Sequence, residues 1–215
     1  MSNVQIISRS TSHDTVSEGA VRSQIGTPDG VAYSADYILS KTLEGRVFHA
    51  NVGDLTTPVT FRVAADADQP ESVIDVPTGT LIVPINIQVH LEDSAGTNNE
   101  IIALANPALV GAGTSTVGTI LSARVGSNRT SACKHYFTYS GNGTAPSGYV
   151  QFWHTGVAFA DVATDPTRVY EWSITKDAPV AIVGPGSLVL HIDGTGTAPA
   201  GFHHIAWMEF DANTF

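Results

Sequence analysis

The chain has 215 residues, of which only 14% are charged, and it carries a formal net charge of −10 at pH 7. This length suits one large all-β domain, and the charged fraction lies below the roughly 25% of typical soluble domains. Because no basic arm is present to neutralise phosphates, the composition argues against a nucleic-acid partner. No run approaches the roughly 20 apolar residues of a membrane-spanning helix, so we expect no membrane partner.

Cysteine usage and the N-terminal residues bear on where the chain folds. Cys133 is the only cysteine, so no intrachain disulfide can form and the chain is not a disulfide-stapled secreted scaffold. Met1–Gln5 lacks the basic region and apolar core of a secretory leader. We therefore expect synthesis in a cytoplasm.

Residues 1–45 are polar and lack a sustained apolar period, and we interpret them as an N-terminal arm or extension. The short apolar groups Val4–Ile7 and Val31–Leu39 could each lie along a neighbouring surface. A short strand or a helical turn is predicted near Tyr33–Leu39. An arm that wraps another subunit and a mobile tail both fit this composition.

From Arg46 onward, strand-sized runs alternate with turns rich in Gly and Pro about every ten residues. This spacing predicts a β-sandwich or barrel over residues 46–215. No fixed repeat or low-complexity linker divides this part of the chain, so we expect a single domain. The predicted strands are Arg46–Asn51, Thr60–Ala65, Ser72–Val76, Thr80–Asp93, Glu100–Ala105, Val117–Val125, Cys133–Tyr139, Gly148–Ala158, Arg168–Ile174, Ala181–Val183, Ser187–Asp193 and Phe202–Phe210.

The longest predicted strand, Thr80–Asp93, has the clearest alternation. Its odd-numbered residues from Leu81 to Leu91 are all apolar, whereas most even-numbered residues from Ile82 to Glu92 are polar. Since alternate side chains of a strand point to opposite faces, the odd residues are predicted to be buried and the even ones to face water. Pro84 lacks a backbone N–H, which predicts an edge position or a bulge there.

The strand Ser187–Asp193 repeats this alternation near the C-terminus. Leu188, Leu190 and Ile192 share one face, and the residues between them share the other. Strands with one apolar face are typical of antiparallel sheets that pack on a core. The fold class is therefore predicted to be all-β, an antiparallel β-sandwich or a barrel.

His90 and Glu92 are candidate metal ligands, because they share one strand face. A cupin-like site would need His191 or His203 to complete the ligand set. Exposed polar positions on a solvent-facing strand explain His90 and Glu92 equally well.

Four acidic residues, Asp66, Asp68, Glu71 and Asp75, fall within about ten positions. Loops rich in carboxylate oxygens can hold calcium, although the EF-hand spacing is absent here. A solvated acidic loop explains them without an ion. We therefore predict neither a metal nor another cofactor.

The sequence has no Gly-x-Ser-x-Gly motif of nucleophilic catalysis. Cys133 and His135 share a strand face, but no third residue that would orient them is evident. His203 and His204 are adjacent on a strand, so their side chains diverge, and one could form a cross-strand pair with His191–Asp193. We predict no catalytic residues and interpret the chain as non-enzymatic.

Four aromatic residues, Tyr149, Trp153, Tyr170 and Trp172, fall on two predicted strands. If they are exposed, they could line a platform that binds sugars. Aromatic residues at such spacing more often fill a core or a subunit interface.

Several strand-and-turn patterns stand out: Val47–Gly53 leading to Thr57–Phe61, Val76–Thr80, Gly186–His191 and Gly201–Phe210. With these patterns, most of residues 46–215 resembles the head decoration, or cement, proteins of tailed bacteriophages, which are virion proteins built on a jelly roll. The resemblance implies a jelly-roll sandwich with an N-terminal extended arm. It transfers no functional residue, because such proteins act through surfaces.

The resemblance also implies a function and partners. The chain is expected to be a structural protein of the virion that binds the major capsid protein and stabilises the head, as a homotrimer. The alternatives are a single-jelly-roll capsid protein, which the missing basic arm disfavours, a carbohydrate-binding module of a tail or fibre, and a cupin-type metalloenzyme. The sequence predicts no contact residues for any of these partners.

Overall fold

Most of the residues that the structure describes lie in antiparallel β-strands. This computed structural model describes residues 37–54, 56–93, 98–141, 143–158, 168–196 and 198–214. The helix α1 spans Tyr37–Leu43, and a 3-10 turn spans Ala212–Thr214. The strands are β1 Val47–Val52, β2 Val59–Thr60, β3 Ser72–Val76, β4 Thr80–Asp93, β5 Asn98–Asn106, β6 Thr114–Gly118, β7 Ile120–Ser122, β8 Lys134–Gly141, β9 Val150–Ala158, β10 Arg168–Ser173, β11 Ile182–Val183, β12 Gly186–Gly194 and β13 Ala200–Asp211.

The strands form two sheets that pack face to face, which confirms the predicted antiparallel β-sandwich. The first sheet has the order β10-β4-β13-β1-β7, with β11 beside β4 and β2 beside β13. The second sheet has the order β6-β8-β3-β12-β5-β9. Both sheets contribute to one hydrophobic core, in which Ile87 and Trp207 of the first sheet join Ile74 and Leu188 of the second, all fully buried.

The strand pairing is nested along the chain. β1 pairs with β13, β3 with β12, β4 with β10 and β5 with β9, so that each pair encloses the next. β4 also pairs with β13, and β5 with β12, which joins the nested pairs side by side within each sheet.

The connection between β5 and β9, residues 107–149, departs from the nested order, and we call it the excursion. Its strand β8 adds to β3 in the second sheet, and β6 adds to β8. Its strand β7 adds instead to β1 in the first sheet. The excursion therefore extends both sheets on the same side of the sandwich.

Most of the predicted strands agree with the observed ones to within two residues at each end, and two predictions are wrong. The predicted strand Thr60–Ala65 ends at Thr60, because the chain leaves β13 there and crosses to β12. The predicted strand Val117–Val125 is split into β6 and β7, which belong to different sheets. At the point where the chain changes sheets, a side chain at Gly118 would collide with the ring of His135.

A bulge interrupts the pairing of β4 with β13, as Pro84 predicts. Trp207 lies opposite Pro84, whereas the preceding residue of β13 lies opposite Asn86, so Ile85 is one extra residue in β4. The carbonyl of Ile85 accepts a hydrogen bond of 3.1 Å from the N–H of Ile174. The bulge therefore leaves β4 in the interior of the sheet despite its proline.

The bulge reverses which residues of β4 face the core. After it, Ile87 and the alternate residues that follow face the core, as predicted. Before it, Ile82 is fully buried in the core, while Leu81 and Val83 lie outside the core cluster. The prediction that the odd residues of this strand are buried is confirmed for all except Val83. The prediction that they share one face along the whole strand is wrong, because an extra residue shifts a period of two by one.

The chain divides into two units, Met1–Ser40 and Lys41–Phe215. Of the first unit, the structure describes only Tyr37–Ser40, which begin the helix α1. The helical turn predicted near Tyr33–Leu39 is thus present from Tyr37 onward. The rest of the predicted arm, residues 1–36, lies outside the described residues. None of the helices in the described part of the chain has the length and apolar character needed to span a bilayer.

The register of β4 after the bulge predicts unequal effects of the same substitution at neighbouring positions. Ile87 is fully buried, so Ile87→Asp should cost several kcal/mol or prevent folding. Gln88 is exposed, and its Nε2 lies 3.4 Å from Oε1 of Glu171, so Gln88→Asp should cost less than about 1 kcal/mol through repulsion. Urea unfolding of both variants measures the difference, and equal losses of stability would contradict this register.

Candidate functional site

A group of perturbed ionisable side chains lies where the connection from β2 to β3 crosses the end of β12. Arg62 forms an isolated bridge with Asp193, and its carbonyl accepts a hydrogen bond of 2.8 Å from the N–H of Gly194. The N–H of Glu71 donates to the carbonyl of Leu190 at 2.9 Å. These backbone contacts place the side chains of Arg62, Glu71, Asp193 and His191, which we call the Arg62 cluster, at this end of the second sheet.

One arginine faces two buried carboxyl groups in the Arg62 cluster. The Nε of Arg62 lies 3.8 Å from Oε1 of Glu71, and its Nη2 donates to the carbonyl of Tyr139. Burial raises the pKa of Glu71 to about 8 and that of Asp193 to about 6, although the charge of Arg62 opposes both shifts. Burial, with the same arginine charge, lowers the pKa of His191 to about 4. At neutral pH, Glu71 is therefore protonated and His191 is uncharged.

A hollow of about 460 Å³ adjoins the Arg62 cluster, and Glu71, Thr138 and Tyr139 line it together with the connection Thr60–Asp66. A perturbed carboxyl group beside a hollow is a common sign of an active site. A protonated Glu71 could donate a hydrogen bond into this hollow. The contacts of Arg62, however, join β8, β12 and the residue before β3. The cluster therefore has a structural role, in which it holds the connection from β2 to β3 against the second sheet.

Two histidines lie in the core between the sheets. His135 Nε2 lies 2.9 Å from the hydroxyl of Ser72, and its ring stacks on Phe137 with centroids 5.5 Å apart. His203 is buried against Phe61, with ring centroids 6.0 Å apart. Burial lowers the pKa of His135 to about 4 and that of His203 to about 3, so both rings are neutral and serve packing.

His204 points to the outward face of the first sheet, away from its neighbour His203, as the sequence predicts. Its Nε2 lies 2.7 Å from Nδ1 of His49, and the two rings stack with centroids 4.9 Å apart. Burial lowers the pKa of both rings, which favours two neutral imidazoles, one of which donates its N–H to the other. The suggested pairing with His191–Asp193 is wrong, because these residues lie on β12, which belongs to the other sheet.

The residues of the candidate cupin-like site lie on different faces of the sandwich. His90 stacks on Phe202 on the outward face of the first sheet, with centroids 5.9 Å apart, and Glu92 is exposed. His203 lies between the sheets, and His191 belongs to the Arg62 cluster on the second sheet. Within the described residues, no group of three or more His, Cys, Asp or Glu is placed to hold a metal ion.

The four acidic residues that could form a calcium loop have separate roles. A hydrogen bond with the Asp66 carboxyl group is the main cause that raises the pKa of Asp68, so these two lie together. Glu71 turns toward Arg62. Asp75 accepts hydrogen bonds of 3.1 and 3.0 Å from the N–H groups of Val110–Gly111 and so anchors the start of the excursion.

Cys133 and the candidate aromatic residues also serve packing. Cys133 is buried in the core, and burial raises the pKa of its thiol, which disfavours the thiolate that a nucleophile requires. Trp172 is fully buried, with Phe152 packed edge-on against it at 5.1 Å between centroids. Trp153 packs against the same core, whereas Tyr149 is exposed. The sugar-binding platform, which required these residues to be exposed, is therefore not assembled on the surface.

Two features were not predicted from the sequence: the Arg62 cluster and the exposed surface of the excursion. Val117, Leu121 and Val125 in the excursion are 73%, 54% and 97% exposed. A count of acidic residues along the sequence would have pointed to this surface, since no acidic residue lies between Glu100 and Asp161. No comparable local signal joins Arg62 to its distant partners.

Comparison of the chain with known protein families, with curated proteins and with solved structures found no match. Candidate functions therefore follow from the fold and from the placement of the side chains described above.

The Arg62 cluster predicts a loss of stability as the pH rises. The unfolded chain releases the proton of Glu71 near the ordinary pKa of 4.5, whereas the folded protein retains it up to about pH 8. The contribution of Glu71 to stability is therefore full below about pH 4.5 and is lost as the pH rises toward 8 and beyond, by about 0.7 kcal/mol between pH 7.5 and 8.5. The buried histidines have the opposite effect below this window, because the unfolded chain binds protons on them near their ordinary pKa of 6.5 and the folded protein does not.

Denaturant unfolding at several pH values tests this prediction with Glu71→Gln, which should remove the decline. Glu92→Gln is the matched control, since Glu92 is exposed, and it should retain the wild-type decline. A decline that persists unchanged in Glu71→Gln would contradict the assignment to Glu71.

Proposed function

We propose that this chain is a non-enzymatic structural protein of a bacteriophage virion, a decoration protein that binds the major capsid protein on the head and stabilises the shell. In this proposal the sandwich is a jelly roll, the chain acts as a homotrimer, and residues 1–45 include an arm that contacts the capsid or an adjacent subunit.

The nested strand pairing is the observation that carries the proposal. A jelly roll has eight strands in two packed sheets, with strands distant in the chain paired to one another. The four nested pairs use eight strands and divide them as β10-β4-β13-β1 and β3-β12-β5-β9. The strand pattern that underlies the resemblance to decoration proteins thus agrees with a pairing that supports a jelly roll.

Jelly rolls serve as capsid proteins, lectins and cupins, so the placement of side chains has to distinguish among these functions. The residues of the cupin-like site are dispersed over three faces, and Trp172 of the sugar platform is in the core. The titratable groups of the Arg62 cluster and of the core histidines hold strands and connections together. These placements favour a protein that acts through its outer surfaces.

A homotrimer suits a protein whose individual surface contacts are weak. Closed symmetry presents each contact patch three times, so modest patches add up to firm attachment on a symmetric shell. The net charge of −10 keeps such a protein soluble before assembly.

Co-sedimentation with capsid shells that lack the protein tests the proposal. The full chain should sediment with the shells, and its mass in solution, measured by light scattering after size exclusion, should be that of a trimer. Failure to bind shells would contradict the decoration role. A monomer would contradict the oligomer, and a large shell-like particle would favour the single-jelly-roll capsid alternative.

Deleting residues 1–36 tests the arm while leaving the helix α1, whose last carbonyl at Leu43 accepts a hydrogen bond of 2.9 Å from Arg124. The truncated chain should unfold at the wild-type denaturant midpoint, and its affinity for shells should fall by at least about tenfold, which is a loss of about 1.4 kcal/mol. Wild-type affinity in the truncated chain would contradict a role for the arm.

A further inference from the structure

The excursion supplies the last strand of each sheet on one side of the sandwich. In the described part of the chain, β7 flanks β1 at the edge of the first sheet, and β6 flanks β8 at the edge of the second. Gly118 lies opposite His135 on the inward face, and Ile120 packs against the core. Val117, opposite Tyr136 of β8, and Leu121, opposite His49 of β1, therefore point away from the core on the outer faces of the two sheets at this edge.

The two edge strands β6 and β7 lack the residues that usually protect sheet edges in soluble proteins. Natural sheet edges tend to carry charged residues or proline, which prevent pairing with another chain. Neither β6 nor β7 contains a charged residue or a proline. On the opposite side, the edge strand β10 carries Glu171, whose carboxylate lies 2.5 Å from Nζ of Lys176.

Charge is segregated between the excursion and the rest of the chain. Of the ten basic and twenty acidic residues, residues 101–160 contain three basic ones and no acidic one. The three, Arg124, Arg129 and Lys134, are all in the excursion and exposed. The excursion therefore presents positive charge on an acidic protein.

Contacts to the sandwich hold the excursion in place. Beyond the anchors at Asp75 and Leu43, the buried carboxylate of Glu209 accepts hydrogen bonds from the hydroxyl of Ser131 at 2.6 Å and the N–H of Ala132 at 3.0 Å. A surface that is already ordered loses little conformational entropy when it binds a partner.

We propose that this surface, formed by Val117, Leu121, Val125, Arg124 and Arg129, binds the acidic surface of a second copy of this chain. Complementary negative charge lies on the rest of the molecule, where Glu92, Glu100, Glu171, Asp177 and Asp211 are all exposed. A contact between two different patches is heterologous, and it closes into a ring when the rotation between copies permits. This inference rests on the proposed homotrimer and assigns its contact face.

Light scattering over a range of concentrations tests the inference on the full chain and on two double variants. Val117→Asp with Val125→Asp places carboxylates on the proposed face at highly exposed positions, so folding should be unaffected. The matched control is Val169→Asp with Val183→Asp, at positions 61% and 56% exposed on strands beside β4. Circular dichroism melts of all three proteins check that each remains folded.

The full chain and the control should associate at the same concentrations. Association of the Val117→Asp, Val125→Asp variant should require a concentration roughly 100-fold higher, since unpaired carboxylates at an interface are costly. If this variant associates like the full chain, the contact face lies elsewhere and the inference is overturned, while the trimer stands. If the full chain is a monomer at every concentration, the proposed homotrimer fails, and this inference with it.

Salt dependence tests the electrostatic part of the inference separately. Raising sodium chloride from 50 to 500 mM should weaken association of the full chain, because attraction between exposed charges is screened. Association that is unchanged or stronger in high salt would overturn the role of Arg124 and Arg129.

Discussion

The pairing of β4 with β13 is the interaction on which the rest of the fold depends. It runs from Ala200 opposite Asp93 to Asp211 opposite Thr80, and it places the middle of the chain beside its end. β10 can then pair on the free side of β4, and β1 on the free side of β13. Without this central contact, the nested pairs in the first sheet would be two separate ribbons, and two-stranded ribbons are marginally stable in water.

The bulge at Pro84 explains how so long a strand stays buried at both of its ends. One extra residue, Ile85, moves the side chains before it to the opposite face, so Ile82 and Ile87 both reach the core. The excursion adds β8 and β6 beside β3 in the second sheet. Two buried carboxylates anchor it, Asp75 of the second sheet and Glu209 of the first, and both thereby gain hydrogen-bond partners.

The sequence predicted most strands because alternation of side chains and turn residues are local properties. It could not predict which residues the side chains of a strand or connection contact, since those partners are distant in the chain. His204 meets His49 rather than a residue of the preceding strand, and Arg62 meets Asp193 across the sandwich end. Alternation places residues on one face without saying which face is buried, and for that reason Trp172 could be considered for a sugar platform although it is fully buried.

Cross-strand nuclear Overhauser contacts between β4 and β13, measured on an isotopically labelled sample, test the central pairing most directly. The structure requires backbone contacts that place Ile205 opposite Ile87 and Trp207 opposite Pro84. Contacts that place Trp207 opposite Ile85 would mean an unbroken register with no bulge. An absence of contacts between Ile205 and Ile87 would remove the central pair and, with it, the nested order on which the proposed jelly roll relies.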